Sequence, residues 1–196
     1  MVTTIQISEE IRKKLFQVIN QLEKVRKRRV TYNEAIKFLL KEKRDDVSPE
    51  QTQALEDLEN TIGKSIPPVK EIEWDTFGVK IEGYNVVGLG LYKQGLVSLP
   101  ESIGDLTSLK SLWLQYNQLS TLPESIGNLS SLKKLSLRSN QLLTFPKVIL
   151  NLPSLNDLDL NFNKLVTLPE SIGNLTSLKI LYLHKNQLST LPESIG

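Results

Sequence analysis

The sequence predicts an α/β chain: a solenoid of short parallel strands joined by compact returns, with a small strand-helix-helix unit in front of it. Three observations predict this. Asn117, Asn140, Asn163 and Asn186 recur at a constant spacing of 23 residues, each inside the same leucine phrase. Between the phrases the chain returns through similar segments that each carry a proline. Ahead of residue 86 the period is absent, and the apolar pattern changes to a short alternation followed by helical spacing.

The phrases read LKSLWLQYNQL, LKKLSLRSNQL, LNDLDLNFNKL and LKILYLHKNQL. Side chains alternate across a strand, so in the second copy Leu135 and Leu137 turn inward while Lys134, Ser136 and Arg138 turn out. Leu132 and Leu142 fill the same interior. One copy cannot bury that face alone, so the copies must stack into a parallel sheet. As the chain leaves each strand, backbone groups face inward without a ladder partner. An amide side chain both donates and accepts, so the asparagine column reads as structural. The returns read LPESIGDLTSL, LPESIGNLSSL, FPKVILNLPSL and LPESIGNLTSL, and Pro100, Pro123, Pro146 and Pro169 limit them to a loop or one helical turn.

The pattern closely resembles the leucine-rich repeat family, in its compact, proline-bearing cytosolic class. The resemblance implies a right-handed solenoid with parallel strands on the concave face, and a function in binding rather than chemistry. Residues 86–96 (VVGLGLYKQGL) read as a degenerate first repeat, with Val86 and Gln94 in the first leucine and asparagine slots. The sequence closes on LPESIG, the opening of another unit, which is expected to leave the last strand uncovered in a truncated array.

The front end is a different module. Residues 2–8 alternate Ile5 and Ile7 against Thr4, Gln6 and Ser8, as a strand does. Ser8, Glu9 and Glu10 open a helix whose apolar stripe is Ile11, Leu15, Val18, Leu22 and Val25. After the basic run at residues 24–29, Thr31 and Glu34 form a capping box for a second helix carrying Ala35, Ile36, Leu39 and Leu40. The stretches TIQISEE and TYNEAIKFLL resemble the ribbon-helix-helix family, in particular its archaeal antitoxin-like members; VRKRRV stands in place of the usual short glycine-containing turn. The resemblance implies a homodimer formed by pairing the N-terminal strands into a ribbon that enters duplex DNA. Thr4 and Gln6 would then face base edges, Thr31 and Asn33 would hold phosphate at a helix start, and Arg26, Lys27, Arg28 and Arg29 would add phosphate affinity. The competing reading is a solvated basic helix end on a module that only dimerises.

Charge is distributed in keeping with this. Residues 1–46 hold 12 Lys and Arg against 7 Asp and Glu, net +5, and the rest hold 12 against 15, net −3. Ser48 and Pro49 start a further helix with Leu55, Leu58 and Ile62 inward and Gly63 at its end. Ile72, Trp74, Phe77, Val79 and Ile81 alternate as a hairpin, with Trp74 read as core of an N-terminal cap. The expected organisation is therefore 1–46 for the ribbon-helix-helix-like domain, 47–85 for linker helix and cap, and 86–196 for the repeats.

Several function classes are excluded or disfavoured. With no cysteine in the chain there is no disulfide framework or cysteine zinc site. The polar first residues are no signal peptide, no apolar run reaches membrane length, and a cytoplasmic protein without membrane contact is expected. His184 is the single histidine, so no histidine pair binds metal, and no phosphate-loop glycine spacing occurs. Asp157 and Asp159 read as a solvated acidic patch, with a weak cation site as the alternative. No catalytic residue, metal or cofactor is expected.

Binding residues are sought among the outward strand positions, which form columns across the repeats. Gly90, Trp113, Ser136, Asp159 and Tyr182 make one; Tyr92, Gln115, Arg138, Asn161 and His184 a second; Lys93, Tyr116, Ser139, Phe162 and Lys185 a third. Exposed aromatic and arginine side chains concentrate binding energy, so Tyr92, Trp113, Tyr116, Arg138, Phe162 and Tyr182 are the candidate contacts for a protein partner. The leading reading is a non-enzymatic protein-interaction module dimerised by its N-terminal domain. The alternatives are a DNA-binding regulator or antitoxin-like protein with a repeat sensor, and the recognition arm of a larger multidomain enzyme.

Overall fold

The structure is a computed structural model and describes residues 9–26, 29, 31 and 47–195. The chain divides into two compact units, Met1–Asp46 and Val47–Gly196. In the first unit, helix α1 spans Glu9–Arg26 and buries Leu15 and Val18, two members of the expected stripe. The strand expected at residues 2–8, with Thr4 and Gln6, lies outside the described residues. So do Lys27, Arg28, Asn33 and the second helix.

The second unit opens with helix α2, Pro49–Ile62. Its boundaries follow from local chemistry: the Ser48 hydroxyl accepts from the Gln51 N–H, and Gly63 turns left-handed at φ 78° while its N–H donates to the Glu59 carbonyl. Ala54, Leu55 and Leu58 are buried. Gln51 is buried as well, and its Oε1 accepts from the Val86 N–H at 2.9 Å. The Asp57 carboxylate accepts from the Ser102 hydroxyl at 2.6 Å, tying α2 to the first return of the array.

Six strands form one sheet in chain order: β1 Phe77–Glu82, β2 Asn85–Leu91, β3 Ser111–Trp113, β4 Lys134–Ser136, β5 Asp157–Asp159 and β6 Ile180–Tyr182. β1 pairs antiparallel with β2, and every later pair is parallel. The 23-residue period sets the register: Leu89, Leu112, Leu135, Leu158 and Leu181 face one another across the sheet. Each return is a 3-10 turn entered from an extended proline, as at Glu101–Asp105 after Pro100 and Glu124–Asn128 after Pro123. The core is a continuous column of leucines and isoleucines between strands and returns, many of them fully closed from solvent.

Four expectations are corrected here. The hairpin is formed by β1 and β2, so its second arm is the strand of the first repeat. Ile72 and Trp74 precede β1, and residues 72–76 cross the face of β2. Two glycines permit that crossing: a Cβ on Gly88 would lie 2.8 Å from Ile72 Cγ1, and one on Gly90 would lie 2.5 Å from the Thr76 carbonyl oxygen. Gly90 is thereby buried and is no open column position. Trp74 is 58% exposed and therefore not core. Finally, Gln115, Ser136 and Asn161 were expected to be exposed and are buried, each tied down by a hydrogen bond: Gln115 Nε2 donates to the Trp74 carbonyl, the Ser136 hydroxyl to Asp159, and Asn161 Oδ1 accepts from the His184 N–H.

Candidate protein-binding surface

The asparagine column sets the frame from which the surface projects. Asn140 Nδ2 donates to the carbonyls of Leu114 (2.9 Å) and Leu137 (3.0 Å), and its Oδ1 accepts from the Leu119 N–H at 3.0 Å. Asn163 repeats this with Leu137, Leu160 and Leu142, and Asn186 with Leu160, Leu183 and Leu165. Asn117 goes further, its Oδ1 accepting from both Gln94 and Leu96 at 3.0 Å. Each asparagine satisfies groups of its own repeat and of the preceding one, so it fixes the repeat spacing.

Immediately before each asparagine slot the backbone is left-handed: Lys93, Tyr116, Ser139, Phe162 and Lys185 have φ between 55° and 58°. For a residue with a Cβ this region costs about 1–2 kcal/mol. Tyr116 and Phe162 place bulky rings there, and each is 41% exposed. Around them lie two aromatic groups. Toward β1, Trp74, Tyr92 and Tyr116 meet edge to face at centroid distances of 5.8 Å and 5.4 Å. Toward β6, the Arg138 guanidinium sits 4.4 Å over the Phe162 ring, which meets His184 edge to face at 5.9 Å. Trp74, assigned in the sequence to the cap core, joins this exposed aromatic group. Gly88 and Gly90 were the available signal, since only a close backbone approach requires both.

Between these groups, the registered positions Trp113, Ser136, Asp159 and Tyr182 border a concavity of about 300 Å³, with Arg138 and Asp157 at its edge. Tyr182 is 47% exposed. Burial pushes the Asp159 carboxyl above the ordinary carboxylate range, against the opposing effects of the Asn161 N–H (2.9 Å), the nearby Arg138 charge and the Ser136 hydroxyl (3.5 Å). The structure thus brings Trp113, Arg138 and Tyr182 to one concavity, with Tyr116 and Phe162 on the left-handed row beside it and Tyr92 in the aromatic group nearer β1.

Of the residues expected to meet DNA, Arg29 and Thr31 are exposed and Arg26 ends α1; the others lie outside the described residues. Among the described residues no group of three or more His, Cys, Asp or Glu is placed to hold a metal ion, and no helix is long and apolar enough to cross a membrane.

Family models described as leucine rich repeat match residues 89–142, 154–175 and 177–196. Among solved structures, a leucine-rich repeat protein of Leptospira interrogans is 43% identical, with a TM-score of 0.55 over 56% of this chain and 28% of that one. A plant ice-binding protein is 27% identical, with a TM-score of 0.59 over 73% of this chain and 50% of its own. The PEPR1–AtPEP1 structure matches at 35% identity and a TM-score of 0.51, over 61% of this chain and 18% of that one. The chain thus spans half or less of the length of each of these proteins. No curated protein matches it. The family matches, the 23-residue register and the asparagine bonds between repeats together make residues 89–196 a leucine-rich repeat array.

Proposed function

We propose that this chain is a non-enzymatic protein-interaction module that holds an extended segment of a partner on the strand face of its repeats. The observation that carries the reading is the pair of exposed rings, Tyr116 and Phe162, kept at left-handed backbone positions where glycine or asparagine costs less. A fold that needed only its own stability would place small residues there. Trp74, Tyr92, Trp113, Arg138 and Tyr182 extend the same surface with the residue types that dominate binding energy. α2 and the β1–β2 hairpin act in this reading as the cap of the array, and a cysteine-free chain suits a cytoplasmic setting.

The test is selection of a random dodecapeptide library on the intact chain. Bound peptides should lose about tenfold or more in affinity in Tyr116→Ala and in Phe162→Ala, and keep it in Glu124→Ala on a return turn. Selection of no peptide, or equal binding by all three variants, would sink the reading.

A second reading concerns residues 1–46, where net charge +5 against −3 for the remainder favours an anionic partner. In it, the N-terminal strand pairs two chains into a ribbon-helix-helix-like dimer that contacts duplex DNA through Thr4 and Gln6. Arg26, Lys27, Arg28, Arg29, Thr31 and Asn33 supply phosphate contacts. Light scattering should then give twice the chain mass for the intact protein and the single mass for a chain starting at Val47. A monomeric intact protein, or DNA binding indifferent to salt, would remove this reading.

A further inference from the structure

The concavity on the strand face is wide, and its charges cancel. Neighbouring strands lie about 4.8 Å apart, so the strands of its two aromatic walls, Trp113 on β3 and Tyr182 on β6, stand about 14 Å from each other. Between them Ser136 and Asp159, in register on β4 and β5, make a floor of short side chains. The stem of a single side chain would leave most of that width empty, whereas a sugar ring with its hydroxyls fills it.

Lys134 borders the concavity beside Asp157, its registered partner on β5, and the Arg138 charge lies near Asp159. Each cation thus has an anion for a neighbour, and no pole is left to draw a charged ligand. Yet neither pair is closed: among the described residues no ion pair joins these four groups. Arg138 is held instead over the Phe162 ring. Asp159, stripped of part of its water by burial, accepts only from the Asn161 N–H and, at 3.5 Å, from the Ser136 hydroxyl. Donors and acceptors therefore alternate around a space with aromatic walls. A hydroxyl donates and accepts at once, so it answers both members of an open cation–anion pair. An ammonium or a carboxylate answers one member and is repelled by the other. The C–H face of a sugar ring also packs on the electron-rich face of an indole or a phenol.

We infer that this concavity is a binding site for a neutral mono- or disaccharide. Its ring faces lie against Trp113 and Tyr182, while its hydroxyls donate to Asp157 and Asp159 and accept from Lys134 and Arg138. The site goes beyond the capture of a partner segment, which is carried by Tyr116 and Phe162 on the row beside it.

The test uses the intact chain with maltose, cellobiose, lactose, sucrose and trehalose as neutral probes, and glucuronate and glucosamine as charged ones. Saturation-transfer NMR reads contact, and Trp113 fluorescence in a Trp74→Phe background gives the affinity. The expected result is transfer to the ring protons of at least one neutral disaccharide, a saturable change in Trp113 emission, and a loss of about tenfold or more in affinity in Tyr182→Ala. Tyr182 is exposed, so its truncation leaves the core intact, and Glu124→Ala on a return turn should bind as the natural chain does. No transfer to any neutral probe, equal affinity in Tyr182→Ala, or tighter binding of glucuronate or glucosamine overturns the proposal. The dodecapeptide selection is read separately at Tyr116 and Phe162, so loss of the saccharide site leaves the partner-segment reading to its own test.

Discussion

At the scale of single residues, the asparagines and Asp159 are opposites. Asn140 satisfies two buried carbonyls and one buried N–H across two repeats. Its replacement by alanine orphans all three, and each orphan costs about 1–3 kcal/mol. Asn140→Ala should therefore lower stability by roughly 3 kcal/mol or more, read as a drop in urea midpoint; a loss under about 1 kcal/mol would show that water replaces the amide. Asp159 is a group the fold carries at a disadvantage. Its carboxyl is raised by burial, so the folded chain binds a proton more readily than the unfolded one. Its contribution to stability is thus least at neutral pH, where it is ionised, and is regained as pH falls through the raised value. Asp159→Asn should be more stable than the natural chain near neutrality, and the advantage should shrink on acidification. An unchanged or lower midpoint at neutral pH would contradict that accounting.

Among the elements, the returns show how closely the repeats are stacked. A Cβ on Gly104 would lie 2.6 Å from the Ser125 carbonyl oxygen, and one on Gly173 2.6 Å from the Ser194 Cβ. The third return, Lys147–Asn151, has Leu150 in that slot and leaves Pro146 at ψ 102° where the other return prolines lie between 147° and 149°. Its turn stacks less closely on the next one. Gly104→Ala should thus cost about 1–3 kcal/mol as an overpacking change, measured by thermal melting, although alanine is an innocuous replacement at most exposed turns. A neutral result would mean that the first two returns can spread as the third does.

The elements also show which features were legible in advance. The leucine phrase gave strand register and core because both depend on a period, and a period is visible in one dimension. The crossing of β2 by residues 72–76 was not legible. Ile72 and Trp74 alternate, as do Phe77, Val79 and Ile81; the three-residue step between the two sets marks a break, but not the contact with Gly88 and Gly90 that follows it. Likewise, alternation told which side Gln115, Ser136 and Asn161 face, but their bonds to Trp74, Asp159 and His184 join residues far apart in the chain. The candidate surface was legible as residue types in columns. Its pairing of Arg138 with Phe162 and of Trp74 with Tyr92 was not, because each joins residues from different turns of the solenoid.

For the repeat-bearing unit as a whole, the two ends of the sheet are unlike. β1 is bonded along its outer side by residues 67–69, through Val69 N–H to the Val79 carbonyl and Val79 N–H to the Pro67 carbonyl, both at 2.8 Å. At the other end no described strand follows β6. Leu178, Leu181, Leu183 and Leu188 are only partly buried there, where their counterparts Leu155, Leu158, Leu160 and Leu165 are closed off completely. In a stack that holds itself together only through nearest neighbours, stability follows such differences locally. Amide hydrogen exchange should be fastest across residues 180–195 and slowest in β2 to β4; uniform protection would show that the stack opens as a single unit. Tyr182, one wall of the concavity, stands on the last described strand, and Trp113 further in, on β3. A chain pulled from its two termini would therefore unzip like a fastener from the β6 side, taking the concavity apart at Tyr182 before the remainder of the stack lets go.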